Sequence, residues 1–283
     1  MVVHQWIAGL WVILSFAGCG RTPFGPLDDA AARADEHVDP IEDGCTELDV
    51  LFVVDNSSSM GNNQHKLGLS IDGFLSGLET VIDDLESLHV GVVTTDSYAG
   101  NAPGCRGIGG LVSQTDGHNS SQRACGPWSS GGPYMTERDD LRAGLECATQ
   151  VGTQGATQEL PLVAARSAVA PYARETVECN EGFIRPGALL MLVFLTDEDA
   201  SQGTGTYDTL VDLKNGYDES IVVLTIAHID RETCSIGGHA SLATTLLDFT
   251  ESFEHGVAAS ICGANFDAPF ARAIDALALA CES

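Results

Sequence analysis

The sequence has very little positive charge. Its 283 residues include 13 lysines and arginines against 40 aspartates and glutamates, which gives a formal net charge of −27 at pH 7. Only Lys66 and Lys214 are lysines. Such a negative field repels nucleic acid and anionic membrane surfaces, so neither is expected as a direct partner. The same field attracts divalent cations weakly over the whole surface, so acidity alone does not locate a metal site.

The sequence also lacks the short motifs that would indicate a familiar enzyme. It has no Gly-x-Ser-x-Gly nucleophile elbow, no His-Glu-x-x-His helix and no dinucleotide fingerprint. Gly203-Thr204-Gly205 lacks the spacing of a phosphate-binding loop. We therefore expect a binding protein, with a hydrolase as the rival class. The candidate base of a hydrolase is His228, which follows an apolar run and equally fits a histidine of the core or its rim.

The apolar run near the N-terminus is too short to span a bilayer as a stable helix. It extends from Trp6 to Phe16 and has the length of a secretory signal core. It leads into Ala17-Gly18-Cys19, which resembles a bacterial lipobox cleaved before the cysteine. We predict a signal peptide over residues 1–19 with lipid attached to Cys19, and plain secretion and a retained anchor are the alternatives. Gly20 comes next, which in a Gram-negative cell favours the outer membrane.

Residues 20–44 predict a flexible tether. They contain Pro23, Pro26 and Pro40 and few large apolar residues, so they cannot bury enough surface to fold alone. The remaining residues, 45–283, fit one domain with a sizeable core.

Closely spaced cysteines are absent. The chain has nine cysteines, and the closest two, Cys262 and Cys281, are 19 residues apart, which excludes a Cys-x-x-Cys metal knuckle or redox pair. The eight cysteines other than Cys19 form an even set, which in an exported chain indicates disulfides. Spacing does not determine their connectivity. Our working hypothesis pairs them as Cys45–Cys281, Cys105–Cys125, Cys147–Cys179 and Cys234–Cys262.

The folded part alternates between apolar runs of strand length and helical patterns. Nearly continuous apolar runs are typical of strands covered on both faces, and apolar residues at every third or fourth position predict helices. The predicted strands are Val50–Val54, His89–Thr95, Leu189–Leu195 and Ile221–Ile226. The predicted helices lie along Leu67–Leu85, Leu160–Ala173, Leu242–Phe249 and Phe270–Leu277. This order predicts an α/β fold, a doubly wound and mostly parallel sheet with helices on both faces.

One long segment interrupts this alternation. Residues 96–135 are rich in Gly, Ser, Asn and Cys and have little apolar periodicity. We predict an insertion held by disulfides, with a short edge strand near Leu111-Val112, because a loop of this length is usually functional or disordered. Trp128 and Tyr134 within it are candidate partner contacts, since exposed aromatic residues often anchor interfaces. Local packing of the insertion is the alternative.

A run of oxygen-bearing side chains follows the first predicted strand. It reads Asp55-Asn56-Ser57-Ser58-Ser59, and its carboxylate and hydroxyls are hard ligands suited to Mg²⁺, Ca²⁺ or Mn²⁺. The i, i+2, i+4 spacing can aim Asp55, Ser57 and Ser59 at one point if the loop curls around it. These residues resemble the Asp-x-Ser-x-Ser motif of von Willebrand factor A (VWA) domains, which forms a metal-ion-dependent adhesion site.

A second acid ends another predicted strand. Asp197 follows Phe194-Leu195-Thr196, and in open α/β sheets ligands bind beyond the carboxyl ends of the strands. This segment resembles the third metal loop of VWA domains, although here Glu198-Asp199 follows. The resemblance also implies a threonine ligand just before a helix. Thr157 has the better offset from the predicted helix, and Thr153 is the alternative.

The VWA resemblance covers roughly residues 46–281 and implies a function. Ser57, Ser59 and Thr157 would coordinate Mg²⁺, or Mn²⁺ or Ca²⁺, through hydroxyl oxygens, and Asp55 and Asp197 would act largely through water. An open coordination position could then take a carboxylate from a protein ligand, which would make the chain an adhesion or interaction protein of the bacterial envelope. A metal-stabilised structural domain without an exchangeable ligand is the alternative. The sequence does not identify the ligand.

The predicted lipobox has a direct test. Metabolic labelling with a palmitate analogue should mark the wild-type protein, and Cys19→Ser should abolish the label because this substitution removes the acceptor thiol. An unlabelled wild type, expressed in a Gram-negative host and detected in the same samples, would refute the lipid anchor.

Overall fold

The computed structural model describes residues 46–81, 85–170, 174–229 and 242–282. The expected signal peptide, Cys19 and the tether lie outside these ranges. All described residues belong to one compact unit. None of the helices within these ranges combines the length and the apolar character that crossing a membrane requires.

Strands and helices alternate along most of these ranges. The strands are β1 (Glu47–Val54), β2 (Ser87–Thr94), β3 (Met135–Thr136), β4 (Leu189–Leu195), β5 (Ile221–Ala227) and β6 (His255–Ser260). The helices are α1 (Gly61–Val81), α2 (Leu141–Ala148), α3 (Pro161–Val169), α4 (Arg174–Cys179), α5 (Thr206–Leu213), α6 (Thr244–Glu251) and α7 (Asp267–Glu282). A 3-10 turn, Asp218–Ser220, leads directly into β5.

The strands form one sheet in the order β3-β2-β1-β4-β5-β6. Neighbouring strands are parallel except β2 and the short edge strand β3, which are antiparallel. β1, β4 and β5 are buried along nearly their whole length, which explains why their sequences are continuous apolar runs. The prediction of a mostly parallel sheet flanked by helices is confirmed.

Helices cover both faces of the sheet. Val50, Phe52 and Val54 of β1 pack on one face with buried residues of α1 and α7. Leu51 and Val53 pack on the other face, in a core shared with α3, α5 and α6. This division follows from the two-residue period of a strand, which sends successive side chains to opposite faces.

The long helix α1 packs closely against α7. A Cβ on Gly77 would lie 2.3 Å from Cδ1 of Ile274, so a larger residue there would displace the isoleucine. Phe74 of α1 and Phe270 of α7 have ring centroids 4.9 Å apart. The ring of Phe52 in β1 lies 5.5 Å from that of Phe74. These contacts fix α1 over the sheet directly after the loop that carries Asp55 and the serines.

Several elements differ from the sequence prediction. The edge strand is Met135–Thr136 rather than Leu111-Val112, although the Val112 N–H donates to the Val92 carbonyl at 2.8 Å. The helix predicted over Leu160–Ala173 spans Pro161–Val169. Strand β6 and helices α2, α4 and α5 were not predicted. They are short, and β6 (His-Gly-Val-Ala-Ala-Ser) has no large apolar run because it is an edge strand with only its first and fifth residues buried.

Two disulfides fasten the insertion to helices instead of closing loops within it. Cys105 pairs with Cys179 of α4, and Cys125 pairs with Cys147 of α2, with Cα–Cα distances of 5.3 and 5.5 Å. The predicted pairs Cys105–Cys125 and Cys147–Cys179 were therefore wrong, because the fold places Cys105 against α4 and Cys125 against α2. Cys262 and Cys281 are also disulfide-bonded. Cys45–Cys281 and Cys234–Cys262 each include a cysteine outside the described residues.

A buried ionic network lies near the start of β1. Arg185 donates to both carboxylate oxygens of Asp49, from Nε at 2.8 Å and from its backbone N–H at 2.7 Å. Lys214 Nζ donates to the carbonyls of Arg185 and Ala188 at 2.8 and 2.6 Å. Burial raises the pKa of Asp49 while its bonds to Arg185 oppose the rise. Burial lowers the pKa of Lys214 to about 8.

The buried Lys214 predicts that stability rises with pH above about 8. Below that pH both states hold the proton, and the native state carries the full cost of a buried ammonium. Between about 8 and the ordinary value of 10.5, only the unfolded chain keeps the proton. The free energy of unfolding should therefore increase by at most about 1.4 kcal/mol per pH unit in this window.

Chemical denaturation of the wild type and of Lys214→Met between pH 8 and pH 10 measures this effect. The difference between the two free energies should rise with pH, since the methionine carries no titrating group. A difference that stays constant with pH would contradict a buried ammonium at this position.

Candidate functional site

The carboxyl ends of β1 and β4 meet at one edge of the sheet. Val54 pairs with Leu195 in the parallel ladder, and the Asp55 N–H donates to the Leu195 carbonyl at 2.9 Å. The Thr196 hydroxyl donates to Asp55 Oδ2 at 2.7 Å. The next residue, Asp197, is near enough for its charge to act on Asp55. The structure thus brings together the two acids that the sequence places at strand ends.

Asp55 itself is completely buried. Its Oδ1 accepts a hydrogen bond of 2.6 Å from the Ser57 N–H, which curls the loop back over the strand end. Burial is the largest cause that raises the pKa of Asp55 to about 6, and the negative charge of Asp197 adds to the rise. In the described part of the chain, no lysine, arginine or histidine forms an ion pair with Asp55 or Asp197.

The two predicted serine ligands lie side by side. Ser57 Oγ and Ser59 Oγ are 3.2 Å apart, so the expected curl of the loop is present. Ser57 is buried, whereas Ser58 and Ser59 are exposed. The hydroxyls therefore lie between the buried carboxylate of Asp55 and solvent.

Gln64 connects this loop to the second predicted loop. It is fully buried, and its Nε2 donates to the carbonyls of Asp55 and Gly152, each at 2.8 Å. Its Oε1 accepts from the Gly152 N–H at 3.1 Å. Sequence reasoning missed this residue. The sequence feature that could have identified Gln64 is a polar side chain three residues before Leu67, on the buried stripe of α1.

Asp96 is a second connection that sequence reasoning missed. Asn56 Nδ2 donates to its Oδ1 at 3.1 Å, and the Ala156 N–H donates to its Oδ2 at 2.6 Å. The Gly155 N–H also donates to the Asn56 carbonyl at 2.7 Å. The loop after β2 and the loop before α3 are thereby tied to the Asp55 loop. The available signal was an acid directly after a predicted strand.

The two candidate threonines have different surroundings. Thr153 is turned toward the insertion, where its hydroxyl accepts from Asn119 Nδ2 at 3.1 Å and lies 3.3 Å from His118 Nδ1. Thr157 is exposed, and its hydroxyl has no hydrogen-bond partner among the described residues. The hydroxyl of Thr157 is therefore the freer of the two, although it forms no hydrogen bond with either serine among the described residues.

Glu159 is an acidic neighbour that sequence reasoning did not include. It is buried, and its Oε2 accepts a hydrogen bond from the Thr95 hydroxyl. Burial is the main cause that raises its pKa to about 8, followed by the charge of Asp55. Burial and the charge of Asp197 likewise raise the pKa of Glu198. An acid beside the apolar start of a predicted helix was the only sequence signal for Glu159.

The chemistry of these donors fits a hard divalent cation. All the side-chain atoms in question are carboxylate or hydroxyl oxygens. Asp197 Oδ1 is buried and without a hydrogen-bond partner within the described ranges, as expected for an acceptor that a hydrated cation would satisfy. In the same ranges, no group of three or more His, Cys, Asp and Glu side chains converges as a metal cage. The fit therefore depends on the mixture of hydroxyls and carboxylates.

Comparisons with known proteins add little information to what the geometry of the site shows. No family model matches the sequence, and no curated protein matches it. Among solved structures, proximal thread matrix protein 1 from the mussel byssus is similar with 14% identity and a TM-score of 0.43, over 84% of this chain and 49% of that one. The pilus adhesin SpaC from Lactobacillus rhamnosus GG is similar with 12% identity and a TM-score of 0.43, over 82% of this chain and 30% of that one. The chain thus spans less than half the length of either protein.

The hydrogen bonds of Gln64 predict that this side chain stabilises the fold. Gln64→Met keeps the volume but leaves two carbonyls and one N–H without their partner, so the free energy of unfolding should fall by about 2–4 kcal/mol. Urea denaturation measures this loss. Gln158→Met is the matched control, because Gln158 is exposed and its bond to Ser201 Oγ is 3.3 Å long. Equal losses in the two variants would contradict a special role of Gln64.

Proposed function

We propose that this chain is a VWA-type domain, with a doubly wound sheet, that binds a divalent cation at the carboxyl ends of β1 and β4. The single observation that carries the proposal is the fully buried carboxylate of Asp55, which accepts a hydrogen bond from Thr196 beside Asp197 and begins the loop in which the hydroxyls of Ser57 and Ser59 lie 3.2 Å apart. A buried carboxylate beside a second, half-buried one is costly unless a cation or a proton neutralises the charge, and neither Asp55 nor Asp197 has a basic partner among the described residues. The hydroxyls of Ser57 and Ser59 favour the cation.

The residues that would hold the cation are those of three loops. Ser57 and Ser59 would supply hydroxyls from the first loop, and Thr157 would supply a third hydroxyl from the loop before α3. Thr157 is preferred to Thr153, because the Thr153 hydroxyl already bonds to the insertion. Asp55 and Asp197 would act largely through water, since Asp55 Oδ1 and Oδ2 are already occupied by Ser57 and Thr196.

The proposed cation, Mg²⁺ or alternatively Mn²⁺ or Ca²⁺, would serve as an electrophile for an external oxygen. Mg²⁺ keeps several exchangeable waters in near-octahedral geometry, which suits a site that takes a ligand carboxylate. Ser58, Ser59, Gln154 and Thr157 are exposed around the site, so a protein surface can reach it. We therefore propose adhesion or protein–protein interaction through a carboxylate of the partner.

The second candidate is a cation that only stabilises the fold. The buried position of Asp55, with its bonds to loops after both β1 and β4, favours this alternative, because a cation there would also fasten the two loops together. The two functions differ in one respect. Only the interaction protein loses a partner when the cation is removed.

The proposed location is the outer membrane of a Gram-negative envelope. Support comes from the lipobox-like Ala17-Gly18-Cys19 and from disulfides that require an oxidising compartment. In that setting the domain would be tethered to the membrane through lipid on Cys19, and the residues of the tether would let it reach a protein ligand.

Thermal unfolding with and without Mg²⁺ or Mn²⁺ tests the cation site. A cation at about 100 times its dissociation constant should stabilise the wild type by about 2.7 kcal/mol, and Ser59→Ala should lose most of that gain. Ser58→Ala is the matched control because it removes an exposed hydroxyl from the same loop without touching the predicted ligand set. Equal gains in all three proteins would mean that the cation binds only the diffuse acidic surface.

A pull-down from envelope extracts, with and without EDTA, tests the interaction. The proposal predicts a protein that is captured in Mg²⁺ and released by EDTA, and that Asp197→Asn fails to capture. Capture that is equal with and without EDTA would contradict a carboxylate held by the cation. Stabilisation by Mg²⁺ without any EDTA-sensitive partner would favour the structural alternative.

A further inference from the structure

Glu159 is a buried carboxylate that the proposed ligand set does not use. The residue is 1% exposed. Its Oε2 accepts the Thr95 hydroxyl, whereas its Oε1 is buried and has no hydrogen-bond partner in the described part of the chain. Leaving a buried acceptor unpaired is costly, and more so when the group is charged. Either a proton or a group that the protein binds would satisfy this oxygen, and the surroundings of Glu159 favour a bound cation.

Another buried carboxylate of this protein, that of Asp49, has a basic partner. Both oxygens of Asp49 accept hydrogen bonds from Arg185. No ion pair links Glu159 to a lysine, arginine or histidine within the described ranges. Glu159 thus lacks the basic partner that Asp49 has, and its neighbours with the strongest electrostatic effect are acids, first Asp55 and then Asp96.

The backbone around Glu159 places it over the end of β1. The Leu160 N–H donates to the Thr95 carbonyl at 3.0 Å, which anchors the segment to the end of β2. The Ser201 hydroxyl donates to the Glu159 carbonyl at 2.9 Å, which anchors it to the loop after β4. Because β1 lies between β2 and β4 in the sheet, a residue tied to both loops lies above the carboxyl end of β1, where Asp55 is.

We propose that Glu159 is a further member of the cation site, where its unpaired Oε1 accepts a hydrogen bond from water bound to the cation. This inference rests on the proposed cation-binding function. A position that acts through water agrees with the absence of a cage of three acids among the described residues. It also agrees with the buried and unpaired Oδ1 of Asp197, a second acceptor in the same group of loops that the protein leaves for the hydrated ion.

The added carboxylate changes the expected character of the site. Asp55, Asp197 and Glu159 together supply three negative charges when ionised, which exceeds the charge of a divalent cation. The cation would then be held firmly before a partner arrives. Acceptors that act through water favour an ion that keeps part of its hydration shell, as Mg²⁺ does.

Mn²⁺ binding to the purified full-length protein, followed by electron paramagnetic resonance of the free ion, tests the inference. Glu159→Gln keeps the size of the side chain and an oxygen for Thr95, but replaces the second acceptor with an N–H donor. The dissociation constant for Mn²⁺ should rise about 10- to 100-fold, the range for residues that hold a ligand or water of a metal. Thermal unfolding without metal separates this effect from a purely structural one, which would lower stability equally with and without Mn²⁺.

Glu198→Gln is the matched control because it removes the same charge beside Asp197. It should change the affinity only a few-fold. An equal loss in both variants would overturn the inference in favour of a diffuse field, and so would an unchanged affinity in Glu159→Gln when Ser59→Ala loses binding. If the wild type itself binds no Mn²⁺, the proposed function fails and this inference fails with it.

Discussion

The burial of Asp55 where β1 pairs with β4 is the constraint on which the rest of the site depends. The parallel register puts Val54 beside Leu195, so the first residue after each strand lies at the same edge. Thr196 can then bond to the Asp55 carboxylate, and Asp197 must lie nearby. The loop that follows Asp55 has to fold back to satisfy that carboxylate, which sets the two serine hydroxyls side by side.

The carboxylates at the two ends of the central strands differ in whether they have a basic partner. Near the start of β1, Asp49 is neutralised within the protein by Arg185, with Lys214 close by. Beyond the end of β1, Asp55, Asp197 and Glu159 have no basic partner among the described residues, and burial raises the pKa of both Asp55 and Glu159. The protein has few cations of its own, with 13 basic residues against 40 acidic ones. An external cation at this edge would supply the positive charge that the acids there lack.

Sequence patterns predicted the parts of the fold that depend on the hydrophobicity of short segments. Continuous apolar runs located β1, β4 and β5, a run rich in Val and Thr located β2, and the strand-end rule predicted that Asp55 and Asp197 lie at one edge of the sheet. The patterns missed β6, whose small residues carry little hydrophobic signal, and they paired the cysteines by chain order instead of by contact. Gln64, Asp96 and Glu159 were missed for a related reason. Each connects loops that are distant in sequence, so its role depends on tertiary contacts that no local pattern contains.

We propose that one divalent cation binds where β1 and β4 end. Crystals of the protein grown with Mn²⁺ and measured at the manganese absorption edge would test it most directly. We expect one dominant anomalous peak between the hydroxyls of Ser57 and Ser59, with Asp55 and Asp197 around it. No peak there at saturating Mn²⁺, or peaks scattered over the acidic surface, would contradict it.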